Sequence, residues 1–241
     1  ENIMALPKLN ITNTYRLTVP STGEEVTYRP YLVKEEKQMM IANETGDQQQ
    51  MMEVMAKTID ACVESNTNVK SLTTFDVEYM FTQIRGRSVG ETSDISISCN
   101  DEECGHKTEV TINVMNAKVE MTDNQSLIEL SEDISVEMKY PAYGEVVNNY
   151  KQGDDESVEF GFTMLAKSIE AVLTPDERII IKDLPVKEIK DFIDSMTRQQ
   201  FDKLGDFLSH IPSLGLDVKW TCGKCDKENE HELKGLQDFF S

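Results

Sequence analysis

Residues Tyr15 to Val19 alternate apolar and polar side chains, Ser21-Thr22-Gly23 supplies a turn, and alternation resumes from Val26 to Tyr31. A period of two on both sides of a turn predicts an amino-terminal β-hairpin. The period then lengthens. Leu32 to Met40 and Gln48 to Val63, the latter carrying Met51, Met52, Met55 and Ile59, repeat with helical spacing and are separated by Gly46-Asp47. A third helix is predicted from Phe75 to Ser88, with Thr74 before it and Gly90 as its stop. The methionine stripe reads as core filler, because an unbranched thioether fits irregular gaps.

Beyond Gly90 short alternating strands are expected at Ile95 to Ser98, Glu109 to Val114, Leu127 to Leu130 and Ile134 to Tyr140. The stretch from Tyr143 to Ser157, with Gly144, Gly153 and the run Asp154-Asp155-Glu156, reads as a loop or linker. Helices are predicted again at Val158 to Leu173, Leu184 to Met196 and Gln199 to His210. Asp183 is placed to cap the second of these, and Thr197 with Gln200 fits a capping box for the third. Leu216 to Thr221 and Glu230 to Leu233 form a last pair of strands.

These elements predict an α+β fold: an amino-terminal hairpin with helices, and a β-rich zinc-ribbon-like unit split by a helical insertion. Met4-Ala5-Leu6-Pro7-Lys8 reads as a natural start, so the expected units are residues 4–92, then 93–140 with 211–241, and the insertion at 141–210.

The cysteines give this pattern its chemistry. Cys99 and Cys104 occupy a C-x4-C turn between two strands, and Cys222 and Cys225 a C-x2-C turn between two others. A structural zinc takes four soft ligands, commonly as two pairs from two rigid turns. Cys99, Cys104, Cys222 and Cys225 are therefore the expected ligands of one zinc ion. Gly105 and Gly223 fit tight turns with positive φ. A disulfide within each pair, a histidine ligand from His106 or His231, or four free thiols are the competing readings. Four thiolates leave no open coordination position, so the metal would be structural and its removal would unfold much of the chain's second half. Cys62, beside Val63 in an apolar run, reads as a small buried hydrophobe.

Charge narrows the partners. Forty-four acidic against twenty-four basic residues give a net charge of −20, which repels phosphate backbones and anionic lipid. No run of about 18 apolar residues or signal-like amino terminus is found, so a soluble intracellular protein is expected. Nucleotide-binding, zinc-protease and nucleophile-elbow motifs are missing, and the three histidines suggest no acid–base site. The expectation is a non-enzyme with no small-molecule substrate, no membrane and no nucleic acid. A zinc-ribbon nucleic-acid-binding regulatory protein is the alternative.

Five segments carry a recognisable pattern: Ala5-Leu6-Pro7-Lys8-Leu9-Asn10; Leu17-Thr18-Val19-Pro20-Ser21-Thr22-Gly23; Tyr28-Arg29-Pro30-Tyr31-Leu32-Val33-Lys34-Glu35-Glu36-Lys37; Thr74-Phe75-Asp76-Val77-Glu78-Tyr79-Met80-Phe81; and Arg85-Gly86-Arg87-Ser88-Val89-Gly90-Glu91. In these the chain resembles the baseplate hub and hub assembly proteins of T-even-like phages. The resemblance implies a hub component or a chaperone-like hub assembly factor, with other phage baseplate hub or tail proteins as partners. It also implies the host cytoplasm as the place of assembly and the tail baseplate of the virion as a destination. It supplies no catalytic residues. Tyr28, Arg29, Pro30 and Tyr31, with Phe239 and Phe240, are the first interface candidates, packing of the same residues being the other reading.

Overall fold

The computed structural model describes residues 13–150 and 157–239. Strands β1 (Tyr15–Thr18) and β2 (Glu25–Tyr28) pair antiparallel, as the alternation predicts. Helices α1 (Val33–Thr45), α2 (Gln48–Cys62) and α3 (Thr74–Val89) follow. Gly46, with φ 65°, ends α1, and the Asp47 side chain accepts from the Gln50 amide to start α2. Thr73 caps α3 through a reciprocal box with Asp76. Leu17, Val26, Met55, Ile59, Val77 and Met80 are among the buried side chains that join hairpin and helices in one hydrophobic cluster. Cys62 is buried there, as its apolar setting predicts, and burial pushes its thiol up to about 11.

Helix α4 (Tyr143–Asn149) occupies the first half of the segment expected to be a loop or linker, and the Asp154-Asp155-Glu156 run lies outside the described residues. Packing overrides the local glycine signal. Tyr143 and Val147 are buried in the first cluster, and Gly144 lies against the Lys70 carbonyl.

Around this body sit two antiparallel hairpins and a four-stranded sheet. Strands β3 (Thr92–Ser98) and β4 (Lys107–Asn113) form the first hairpin. Strands β10 (Leu214–Thr221) and β11 (Glu228–Lys234) form the second, and β5 (Lys118–Val119) adds to the free edge of β10. Ile95 and Ile112 from one hairpin, Leu214, Val218 and Trp220 from the other, and Phe239 of the terminal turn α8 (Gly235–Phe239) share a second hydrophobic cluster.

The remaining sheet has the order β6-β7-β8-β9: β6 (Leu127–Glu129), β7 (Ser135–Met138), β8 (Ile169–Leu173) and β9 (Arg178–Ile180). Helices α5 (Val158–Ser168), α6 (Val186–Asp194) and α7 (Arg198–Ser209) cover it, burying Leu165, Ile193, Leu204 and Phe207. Two expectations change in this region. The helix predicted to run to Leu173 stops at Ser168, because Ile169–Leu173 pairs on both sides within the sheet and that pairing decides an ambiguous apolar run. Asp183 ends a 3-10 turn instead of capping α6, whose preceding residue is Pro185. The Thr197–Gln200 capping box forms as predicted. Among the described residues no helix is long and apolar enough to cross a membrane.

Candidate metal centre

The first cysteine turn closes β3–β4. The Cys99 amide donates to the His106 carbonyl at 2.9 Å, and the Cys104 and Gly105 amides donate to the Asp101 carbonyl at 2.9 and 3.0 Å. Gly105 takes φ 51°, a conformation glycine adopts at little cost. The second turn closes β10–β11, where the Cys222 amide donates to the Lys227 carbonyl and the Asp226 amide to the Cys222 carbonyl. The positive φ in this turn belongs to Asp226, at 57°, and not to Gly223. Aspartate tolerates the left-handed region better than most residues, so the turn needs no glycine there.

These turns meet. The four sulfurs of Cys99, Cys104, Cys222 and Cys225 all lie within 4.8 Å of one another. Cys99 and Cys225 are 3.7 Å apart, Cys104 and Cys222 3.9 Å. A tetrahedron of sulfurs at about 2.3 Å from a central ion has edges of about 3.8 Å. The donor set therefore fits a soft tetrahedral cation in spacing and in chemistry. All the described cysteines are free thiols, and each of these short sulfur contacts joins one turn to the other. His106 and His231 are exposed and fall outside the cluster of candidate ligand atoms.

The electrostatics match this arrangement. The Lys224 and Cys225 backbone amides point at the Cys222 sulfur and lower its thiol to about 6. Cys225 moves the other way: the Lys227 amide favours its thiolate, but local loss of hydration at the sulfur and the neighbouring Cys222, Cys104 and Cys99 sulfurs raise the thiol. Several thiolates at this spacing repel one another unless a cation lies between them. Cys99 and Cys222 are buried, Cys104 is partly buried and Cys225 is exposed.

Two residues of this region escape a reading based on cysteine spacing. Asn100 and Asn229 tie the two turns together through side-chain amides. No sequence signal marks them, because Asn229 is seen to lie buried within a strand only in the structure. The interface candidates resolve toward packing: Tyr28 and Phe239 are buried in hydrophobic clusters, Arg29 is held by Glu35 and the Ala61 carbonyl, and Phe240 lies outside the described residues.

Comparison with known proteins matches residues 12–241 to the family described as T4 bacteriophage base plate protein. The chain is also 25% identical over 227 residues to the baseplate hub assembly protein gp26 of Enterobacteria phage T4, covering 94% of this chain and 97% of that protein. No solved structure gives a significant match.

Proposed function

The chain belongs to the T4 bacteriophage base plate protein family, and from that premise we propose that it is a non-enzymatic hub assembly protein. It acts in the host cytoplasm through contacts with other baseplate hub or tail proteins, in a chaperone-like way, before or during its joining to the tail baseplate. The observation that carries this reading is the collinear likeness to the T4 hub assembly protein over nearly the whole of both chains. The net charge of −20 supports it, since self-repulsion opposes aggregation and favours partners with basic faces.

The reading includes one structural zinc held by Cys99, Cys104, Cys222 and Cys225. The sulfur spacing supports it. When bound, the ion neutralises the clustered thiolates and links the two hairpins. With four protein ligands it offers no position for water, so it supports architecture and not Lewis-acid catalysis.

Co-expression with the hub proteins of the same phage, followed by size-exclusion chromatography, tests the assembly role. A complex that elutes together is expected. Failure of every hub subunit to associate, or a steeply salt-dependent affinity for nucleic acid in its place, would overturn the assignment. Metal analysis of the purified chain tests the zinc, with one ion per chain expected.

A further inference from the structure

Asn229 sits in β11 opposite Trp220 and is only 6% exposed. Its Oδ1 accepts a hydrogen bond from the Asn100 backbone amide at 2.9 Å and lies 3.6 Å from the Cys99 sulfur. Its Nδ2 donates to the Lys227 carbonyl at 2.8 Å. One side chain thus holds the residue that follows Cys99 in the first turn and, on the other side, the carbonyl that accepts from the Cys222 amide in the second. Reversing the amide would face Nδ2 with the Asn100 N–H and Oδ1 with the Lys227 carbonyl, so its orientation is fixed by its partners. Asn100 completes the clasp by donating from Nδ2 to the Glu230 carbonyl at 3.0 Å.

We propose that Asn229 is the positioning residue of the metal centre, holding the two cysteine turns in register before any ion arrives. This rests on the zinc reading above. The clasp contains no sulfur–metal bond, and the two hairpins also share a hydrophobic cluster. Two turns already in place lose little freedom when the metal binds, and groups just outside the ligand shell commonly contribute 10- to 100-fold to metal affinity. In the metal-free protein the Cys99 S–H donates a hydrogen bond to Oδ1 while keeping its proton. When zinc takes the sulfur that proton leaves to solvent, and Oδ1 keeps the Asn100 amide.

The test is a zinc titration of the full chain against a chromogenic chelator, run beside a cobalt titration that reports tetrahedral thiolate coordination by its visible absorption. Asn229→Leu keeps the volume and removes both amide contacts, so zinc affinity should fall about 10- to 100-fold while the cobalt spectrum stays tetrahedral. Asn229→Ala serves the same purpose if the leucine variant does not fold. Leu204→Ala, buried in the separate cluster that covers the four-stranded sheet, is the control for general destabilisation: it should lower the melting temperature and leave zinc affinity within about twofold. Wild-type affinity in a folded Asn229 variant would overturn the positioning role and leave the zinc site standing. A wild-type chain that takes up neither metal would overturn the zinc site itself.

Discussion

The sulfurs of Cys99 and Cys225 lie 3.7 Å apart although 126 positions separate them in the chain. Everything between them, including the sheet β6-β7-β8-β9 and its helices, must fold so that this distance closes. Ligand loss should therefore be felt where the two hairpins meet. In a Cys222→Ser, Cys225→Ser double variant zinc content should drop from one per chain to none. Each kcal/mol lost lowers the melting temperature of a chain this size by about 2–4 °C, so a fall on the order of 10 °C is expected in a thermal melt. The single tryptophan, Trp220, stands two residues before Cys222, so its emission should shift while far-UV circular dichroism changes little. That outcome is narrower than the unfolding of much of the chain's second half expected from the cysteine spacing, because the hairpins also share a hydrophobic cluster.

Asp76 is fully buried and accepts four hydrogen bonds: from the Ser21 amide and hydroxyl at 2.9 and 2.6 Å, and from the Thr73 amide and hydroxyl at 3.1 and 2.6 Å. It ties the amino-terminal turn to the start of α3. Asp76→Ala leaves these donors without an acceptor and should cost about 3 kcal/mol in urea unfolding. Asp76→Asn keeps the shape but turns one acceptor into a donor facing other donors, and should recover only part of the loss.

Burial pushes the Glu78 carboxyl up to about 7, with the Leu236 amide holding it partly down. Its ordinary value is 4.5, so between pH 4.5 and 7 the folded chain binds more protons than the unfolded one. Stability from this group is fully present below pH 4.5 and is lost as pH rises through 7. Glu78→Gln should flatten that part of the stability–pH curve and be the more stable protein at pH 8, by up to about 3 kcal/mol. Equal slopes for the two proteins would refute the assignment.

A methyl group added at Gly144 would lie 3.0 Å from the Lys70 carbonyl oxygen and 3.1 Å from its Cβ. Alanine within a helix ordinarily gains about 0.5–1 kcal/mol over glycine. Here the backbone of residue 70 must move to admit it. Gly144→Ala should therefore be destabilising by about 1–2 kcal/mol net, read as a lower melting temperature.

What the sequence discloses about this fold depends on range. The amino-terminal hairpin, the helices around the methionine stripe and the Thr197–Gln200 cap arise from neighbours within a few positions, and all are legible. Ile169–Leu173 is not, because its apolar run suits helix or strand and only its partners in β7 and β9 choose between them. β5 and β9, at two and three residues, carry too little pattern to be seen before pairing. At the cysteine cluster, ligand type and spacing name the four sulfurs, whereas the amide of Asn229 acquires its role only once Asn100 is beside it. The positive φ moved from Gly223 to Asp226 for a related reason, since composition marks where a turn can occur and hydrogen bonding picks the residue that bends.

Cys104 precedes Cys222 by 118 positions, which orders events at the ribosome. At about 5–20 residues per second the nascent chain exposes its first two thiols on the order of ten seconds before the second two are made. On the zinc reading proposed above, metal capture waits for the second pair, and a chain stalled within that interval presents half a chelate to the redox chemistry of its host.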